Sequence, residues 1–421
     1  MNTRQERLYN ASKGEARRER SCYVCHGIAQ LCTDAVCPIK LRAKTLVALS
    51  RAIQSTNLFG SSPPGVFVGQ YGYPNVSMAP LIPPTVEQDT SIMDSSEKWL
   101  TMDMGRLLEN RLSLLRARSF LPVSSAKIPP RILSTVQELV MSEKPVDTEV
   151  WFTKKPRLEA LISPREAPMG PSANVSKLVL AENPSVPRQV DRVVSDTDAR
   201  AELSAFKLYE SGVAQSQITK IFSIGLLGEG QRRRLVPTEW SITAVDDILA
   251  KRLRRDVLSH PKIDQYWVLG HRALANNVQV LMMPTSWMYE ALEAWLASPH
   301  PTPFSDYELS MGRKTYPRNL MGAYHAARLP VLEYLSKLKR QAGVIVFMEV
   351  EPEWIPLGVW RFREISREAF RKTPAKFNTM EEAILNLSSR LRLPIESWNK
   401  SSRLLRYHRE QRDLEKFLRA T

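Results

Sequence analysis

All four cysteines of this 421-residue chain fall within sixteen positions, as Cys22-Tyr-Val-Cys25, Cys32 and Cys37, a C-x2-C-x6-C-x4-C arrangement. A two-residue gap lets two thiolates on a tight turn hold one ion, and two more complete a tetrahedron with Zn–S bonds of about 2.3 Å. No cysteine lies elsewhere, so the grouping reads as a metal site, zinc first. Disulfides would suit a hyperthermophile, and Pro38 directly after Cys37 matches the ending of some iron–sulfur ligand runs. His26 adjoins Cys25 too closely to close on the same ion and is read as a bystander.

A second constellation closes the chain. Gln411, Leu414, Phe417 and Leu418 have the spacing Gln-x-x-Leu-x-x-Phe-Leu. A short 3₁₀ turn would present the three apolar side chains as prongs, with the glutamine amide free to enter a polar pocket beside them. The alternative is the last turn of an amphipathic helix packed on its own domain. The pattern resembles the PIP box, by which replication and repair proteins dock on the sliding clamp PCNA; many such boxes end in two aromatics, where this one ends Phe417-Leu418.

Two carboxylate pairs invite comparison with metal-dependent nucleases. Asp246 and Asp247 are neighbours on an expected helix, where they diverge by about 100° and pair poorly on one ion. Thr243 and Asp246 have capping-box-like spacing, which would give Asp246 a structural role. Glu349 and Glu351 share a strand face, with no further ligand at suitable spacing. Arg232, Arg233 and Arg234, followed by Lys251, Arg252, Arg254 and Arg255, are candidate phosphate contacts. Arg403, Arg406 and Arg409 recur every third residue and form one basic stripe beside the tail.

The whole composition agrees with such chemistry. Lysine and arginine number 59 against 44 acidic residues, for a net charge of +15 and a pI near 9.7. That balance favours an anionic partner such as DNA. Residues 355–421 carry fifteen basic and eight acidic side chains, a disproportionate share. The 43% hydrophobic and 24% charged fractions are those of a folded chain. No apolar run approaches the roughly 20 residues needed to span a bilayer, and residues 1–20 have no apolar secretory core, so a cytoplasmic, nucleoid-associated protein with no membrane partner is expected.

The elements that must position these groups give an α+β fold of mixed helices and short strands, with an N-terminal four-cysteine zinc module and a C-terminal α+β domain. Helices are expected at 41–58, 105–118, 131–142, 199–209, 213–227, 282–296, 366–371 and 379–391. A long helical pattern ending at 341 must be kinked or split by Pro330. Strands are expected at 66–68, 344–349 and 357–362, with short strands and loops through the proline-rich stretch after 142. The Gly/Pro-rich segment 60–74 reads as turns around a buried strand, since it lacks the ending of a nucleotide-binding loop. Pro299, Pro301 and Pro303 mark a boundary. The resulting division is a basic arm at 1–20, the cysteine module at 21–40, a main domain at 41–300, an α+β domain at 301–400 and a basic helix with its tail at 401–421.

Four further stretches carry a family resemblance. Together with the cysteine window, Leu58-Phe-Gly-Ser-Ser-Pro-Pro64, Arg233-Arg-Leu-Val-Pro-Thr238, Trp240-Ser-Ile-Thr-Ala-Val-Asp-Asp247 and Gly312-Arg-Lys-Thr-Tyr316 make the chain similar to the archaeal Nre family of DNA-repair proteins. The resemblance implies a role in DNA-damage repair, a zinc finger of the four-cysteine type at Cys22, Cys25, Cys32 and Cys37, and PCNA binding by a PIP motif at Gln411, Leu414, Phe417 and Leu418. Other repair proteins are possible partners. Two other readings stand beside it: a metal-dependent nuclease or nucleotide-processing enzyme acting in repair, and a structural adaptor that uses its finger for a protein partner.

Overall fold

The computed structural model describes residues 38–53, 55–86, 89–156, 169–353 and 357–410. The four cysteines and the Gln411 to Leu418 tail lie outside the described residues. The chain divides into two compact units between Leu249 and Ala250. Each is α+β.

The first unit starts with helix α1 (Pro38–Ala52) and strands β1 (Asn57–Ser62), β2 (Val66–Val68) and β3 (Asn75–Ile82). Helix α2 (Met104–Ser113), strand β4 (Leu115–Pro122), helix α3 (Arg131–Met141) and strands β5 (Val146–Phe152) and β6 (Ser172–Leu180) follow. Helices α4 (Arg188–Ser195), α5 (Ala201–Glu210) and α6 (Gln215–Ser223) complete it, with the first half of α7 (Thr238–Val257). Its six strands order as β1-β5-β6-β4-β3-β2, with β4 and β6 parallel and the other neighbours antiparallel.

Strand β5 shows why this sheet has one wet face. Val146, Thr148, Val150 and Phe152 are buried while Asp147, Glu149 and Trp151 alternate with them toward solvent. Strand β2 is the 66–68 strand expected from the sequence. The 105–118 helix, in contrast, stops at Ser113, because alternation of Arg116 and Arg118 with buried Ala117 suits a strand and not a further turn. Helix α5 ends as expected: Gly212 takes φ +80°, where a side chain would be strained, and Val213 N–H returns to the Leu208 carbonyl at 3.1 Å.

The second unit contains strands β7 (Tyr266–Ala273), β8 (Asn276–Met283), β9 (Met288–Trp295) and β10 (Phe304–Glu308), then helix α8 (Gly322–Leu338) and strand β11 (Gly343–Val350). Helix α9 (Trp360–Phe370), strand β12 (Ala375–Phe377) and helices α10 (Met380–Ser388), α11 (Ile395–Ser401) and α12 (Arg403–Glu410) follow. Its sheet orders as β10-β9-β11-β8-β7-β12, with β11 and β9 parallel. Pro299 to Pro303 lie in the connection between β9 and β10 of this one sheet.

Both faces of that sheet are covered. Val268, Leu281, Leu292, Ile345 and Phe347 pack with Leu387, Trp398, Leu404 and Leu405 from α10, α11 and α12. The alternate side chains, including Val280, Ala291 and Val346, are buried on the opposite side, where α8 packs on β9 and α9 on β7 and β8. All eight residues of β8 and of β11 are buried in consequence.

Double burial explains the main correction to the sequence reading. Residues 282–296 are not a helix but the end of β8, a turn at 284–287 and β9. Their Ala, Leu, Met and Glu content favours helix, and a strand buried on both faces loses the polar alternation that would reveal it. The strand expected at 357–362 is likewise overturned: Gly358 (φ +91°) leads into α9, which begins at Trp360. Helix α8 runs through Pro330 without being split, since residues on both sides are buried and held by packing. Helix α7 begins at Thr238, so Thr243 and Asp246 lie inside it and form no N-terminal cap.

Candidate nucleic-acid interface

Residues 170 positions apart meet on the surface of the first unit. The Val68 N–H donates to the Thr238 hydroxyl at 2.8 Å, joining the end of β2 to the first turn of α7. One residue pair further on, Gln70 bridges two groups of opposite need. Its Nε2 donates to Glu239 Oε2 at 3.1 Å, and its Oε1 accepts from the Trp240 indole at 3.2 Å. A carboxylate only accepts and an indole N–H only donates, so the amide orientation is set by chemistry. Trp240 then lies 5.3 Å from the Tyr73 ring. The loop 69–74 turns at Gly72 (φ +87°) and leaves Tyr71 94%, Tyr73 49% and Trp240 45% exposed.

The arginine run is anchored to the same strip of backbone. Leu235 N–H donates to the Val123 carbonyl and Val123 N–H to the Pro74 carbonyl, each at 2.9 Å. Arg232 ends a short 3₁₀ turn (Gly230–Arg232), is 78% exposed and stands 3.2 Å from Glu229; an exposed pair of this kind holds an arginine only weakly. Arg234 is exposed. Arg233 is turned onto its own unit, with Nε on the Gly228 carbonyl at 3.0 Å and Nη2 on the Val194 carbonyl at 2.7 Å. Burial lowers its pKa, with Asp196 opposing.

The solvent face of the same sheet carries further cation–ring pairs, together with Asp147 and Glu149. Gly69 N–H donates to the Ser77 carbonyl at 2.8 Å, and Ser77 pairs in register with exposed Phe120. The Arg118 guanidinium lies 5.9 Å from the Phe120 ring, and Lys177 Nζ lies 4.5 Å from the Trp151 ring. Cations interleaved with ring faces are what a phosphate backbone with unstacked bases requires.

The carboxylates considered from sequence are engaged elsewhere. Asp246 is buried and accepts from the Gln215 amide at 2.7 Å. Glu349 accepts the Arg392 and Leu393 N–H groups at 2.8 Å each and the Asn277 amide at 2.7 Å. Glu351 stands 3.3 Å from both Arg272 and Arg392. Among the described residues no group of three or more His, Cys, Asp or Glu could hold a metal ion. The same carboxylate logic governs α12: Glu290, wholly buried in β9, accepts the Arg403 and Leu404 N–H groups at 2.8 and 2.9 Å and the Ser402 hydroxyl at 2.6 Å. Helix starts carry unsatisfied N–H groups and favour such an anion. Arg403 is exposed, Arg409 is exposed with its Nε on the Leu405 carbonyl at 3.4 Å, and Arg406 reaches the Lys400 carbonyl at 3.2 Å.

The Gly312 to Tyr316 motif lies over a buried ionic network. Glu308 Oε1 accepts the Trp287 indole at 2.9 Å and Arg328 at 2.7 and 3.0 Å. Tyr289 donates to the Tyr324 carbonyl at 3.1 Å, and burial raises both phenols well above their ordinary range. Sequence reasoning gave Trp240 and Gln70 no binding role, because only folding brings the 69–74 loop to α7. The one available signal was three aromatics in two polar, turn-rich stretches.

No described helix is long and apolar enough to cross a membrane. No solved structure matches this chain. Residues 31–300 match the family described as "Archaeal Nre, N-terminal", and residues 308–417 match "Archaeal Nre, C-terminal". The DNA repair protein NreB of Archaeoglobus fulgidus is 36% identical over 406 residues, covering 94% of this chain and all of that protein. The DNA repair protein NreA of the same organism is 33% identical, covering 88% and 93% of the two chains. The DNA repair protein NreA of Haloferax volcanii is 34% identical, covering 80% and 84%. The chain therefore belongs to the archaeal Nre family.

Proposed function

We propose that this protein is a DNA-repair factor that holds DNA on the arginine and aromatic surface beside the start of α7 and is recruited by the sliding clamp PCNA through its C-terminal tail. The observation that carries the DNA reading is the placement of exposed Arg232 and Arg234 on backbone tied to the Tyr73 and Trp240 pair. Arginines supply phosphate attraction without sequence preference, and exposed rings supply stacking for unpaired bases. The names of the relatives, all DNA repair proteins, support the same reading.

Anisotropy of a labelled single-stranded oligonucleotide tests the surface. Arg232→Ala/Arg234→Ala should reduce the slope of log K against log salt by about 1.4, or 0.7 per lost phosphate contact. An unchanged slope and affinity would place DNA elsewhere. Arg403, Arg406 and Arg409 would add a second basic stripe, tested by the same measurement.

The tail is assigned by Gln411, Leu414, Phe417 and Leu418, one polar and three apolar prongs at the spacing of a PIP box. Deleting 411–418 should abolish clamp binding and leave the melting temperature unchanged; a truncated protein that still binds the clamp would refute the assignment. Four thiolates at Cys22, Cys25, Cys32 and Cys37 suit a tetrahedral zinc ion. Zinc would fold the N-terminal module and perform no chemistry on DNA. Metal analysis should return about one zinc per chain, lost in Cys22→Ser/Cys25→Ser; iron with sulfide would instead indicate a cluster.

A further inference from the structure

The connection between β10 and α8 holds an apolar tip on a rigid base. Arg313 is its rivet. Its Nε donates to the Thr315 carbonyl at 2.8 Å and its Nη1 to the Tyr307 carbonyl at 3.1 Å. Its Nη2 pairs with Asp306 at 3.0 Å, and the guanidinium lies 5.8 Å from the Tyr324 ring. The Arg313 N–H donates to Glu308 Oε2 at 3.2 Å, and Arg254 donates to the Ser310 carbonyl. Gly312 takes φ +78°, and a Cβ there would come within 3.0 Å of the Arg254 guanidinium carbon.

Above this base, Met311 is 85% and Tyr316 51% exposed, with Lys314 and Arg318 also exposed. The thirteen residues 309–321 include three cations and no acid. An apolar side chain left in water on a backbone fixed by so many arginine contacts is partly pre-organised for a partner, since the main chain needs no ordering on binding and only side-chain freedom is lost. The absence of any acid and the flanking cations select a polyanion, and apolar wedges between base steps are a known way for proteins to kink duplexes.

We propose that Met311 and Tyr316 form a wedge that enters a weakly stacked step of duplex DNA, with Lys314 and Arg318 on the flanking phosphates. This rests on the reading that the protein binds DNA. The wedge is in the second unit, and the surface of Arg232, Arg234 and Trp240 is in the first. The two are therefore separable by mutation.

The test uses the full-length protein and duplexes carrying 2-aminopurine beside a mismatch or a matched pair. Wild-type protein should raise the fluorescence on the mismatched duplex at least several-fold, as unstacking does, and Met311→Ala/Tyr316→Ala should remove most of that rise while the duplex stays bound. Lys314→Ala/Arg318→Ala should lower the salt slope by about 1.8, or 0.9 per phosphate. All four side chains are exposed, so circular dichroism should confirm folding of both variants. An unaltered fluorescence rise in Met311→Ala/Tyr316→Ala overturns the wedge and leaves DNA binding standing. Loss of clamp binding in that variant, with DNA fluorescence unaffected, makes the loop a protein-docking surface and also overturns it. Failure of the wild type to bind any oligonucleotide overturns the wedge together with the proposed function.

Discussion

Replacing Glu290 by alanine should detach α12, the helix that carries Arg403, Arg406 and Arg409 and leads to the tail. Glu290 is wholly buried and its two oxygens receive the Arg403 N–H at 2.8 Å, the Leu404 N–H at 2.9 Å and the Ser402 hydroxyl at 2.6 Å. Glu290→Ala leaves two backbone donors without an acceptor at about 1–3 kcal/mol each and removes an anion worth about 0.5–1 kcal/mol at a helix start. Water entering the space offsets part of this. The expected loss is about 3–4 kcal/mol, a large share of the roughly 5–15 kcal/mol that stabilises a domain. Urea unfolding followed by circular dichroism would measure it, and hydrogen exchange at 403–410 would locate it. Ser402→Ala, which removes a hydroxyl that donates to Glu290 and accepts the Leu405 N–H at 3.1 Å, should cost about 1–2 kcal/mol. A loss below about 1 kcal/mol in Glu290→Ala, with exchange protection of α12 unchanged, would refute the capping argument.

Other consequences are as specific. Trp240→Ala/Tyr73→Ala should weaken single-stranded DNA binding by about 1–3 kcal/mol per stacked base, at least about fivefold, without a matching change in the salt slope; anisotropy across a salt series separates the two effects. Gly312→Ala should destabilise the second unit by more than about 1 kcal/mol, because φ is +78° and the new Cβ meets Arg254; a melting curve checks this. Burial lowers His271 below its ordinary 6.5, reinforced by Lys372 and opposed by Glu368, and burial also lowers His408, opposed by Glu381. The unfolded chain then binds more protons than the native one, so the stability these residues contribute is present above pH 6.5 and is lost as pH falls through 6.5 toward the lowered native values. Urea midpoints between pH 7.5 and 5 should fall less in His271→Gln/His408→Gln than in wild type.

What could be read in the sequence depended on how many faces an element buries. Strand β2 and helix α5 were legible, the first by turn residues on either side and the second by a helical repeat ending at Gly212. Helix α10 was legible within a few residues, and its Thr379 and Glu382 form a reciprocal capping box at 3.2 Å. Strand β9 was not, because Tyr289, Ala291 and Glu293 pack toward one helix layer and Glu290 and Leu292 toward the other, leaving no polar face to mark the period. Helix α9 was legible only in its second half, where a helix is expected from residue 366, and its first turns were hidden for a related reason. Arg361, Arg363 and Glu364 are buried in it, where a reader of polarity expects solvent.

The candidate surface was half legible. Local spacing found Arg232 to Arg234, but not that Arg233 would turn inward onto Gly228 and Val194 while Arg232 and Arg234 stay out. Nor could spacing find the partners of Trp240, since Gln70 and Tyr73 arrive through sheet pairing some 170 residues away. Buried carboxylates showed the converse. Glu349 looked like half of a catalytic pair in the sequence and is a clamp for two backbone N–H groups in the fold.

If one chain joins DNA to the clamp, its binding to clamp-loaded DNA must depend on both contacts. Tethering through Gln411 to Leu418 should make the apparent affinity for clamp-loaded DNA about 10² to 10⁴ times that for DNA alone. Deletion of 411–418 should return it to the DNA-alone value, and Arg232→Ala/Arg234→Ala/Trp240→Ala should weaken binding to both substrates. An affinity gain that survives the deletion would show that the tail is not the tether, and a triple variant that binds both substrates like wild type would show that DNA is held elsewhere.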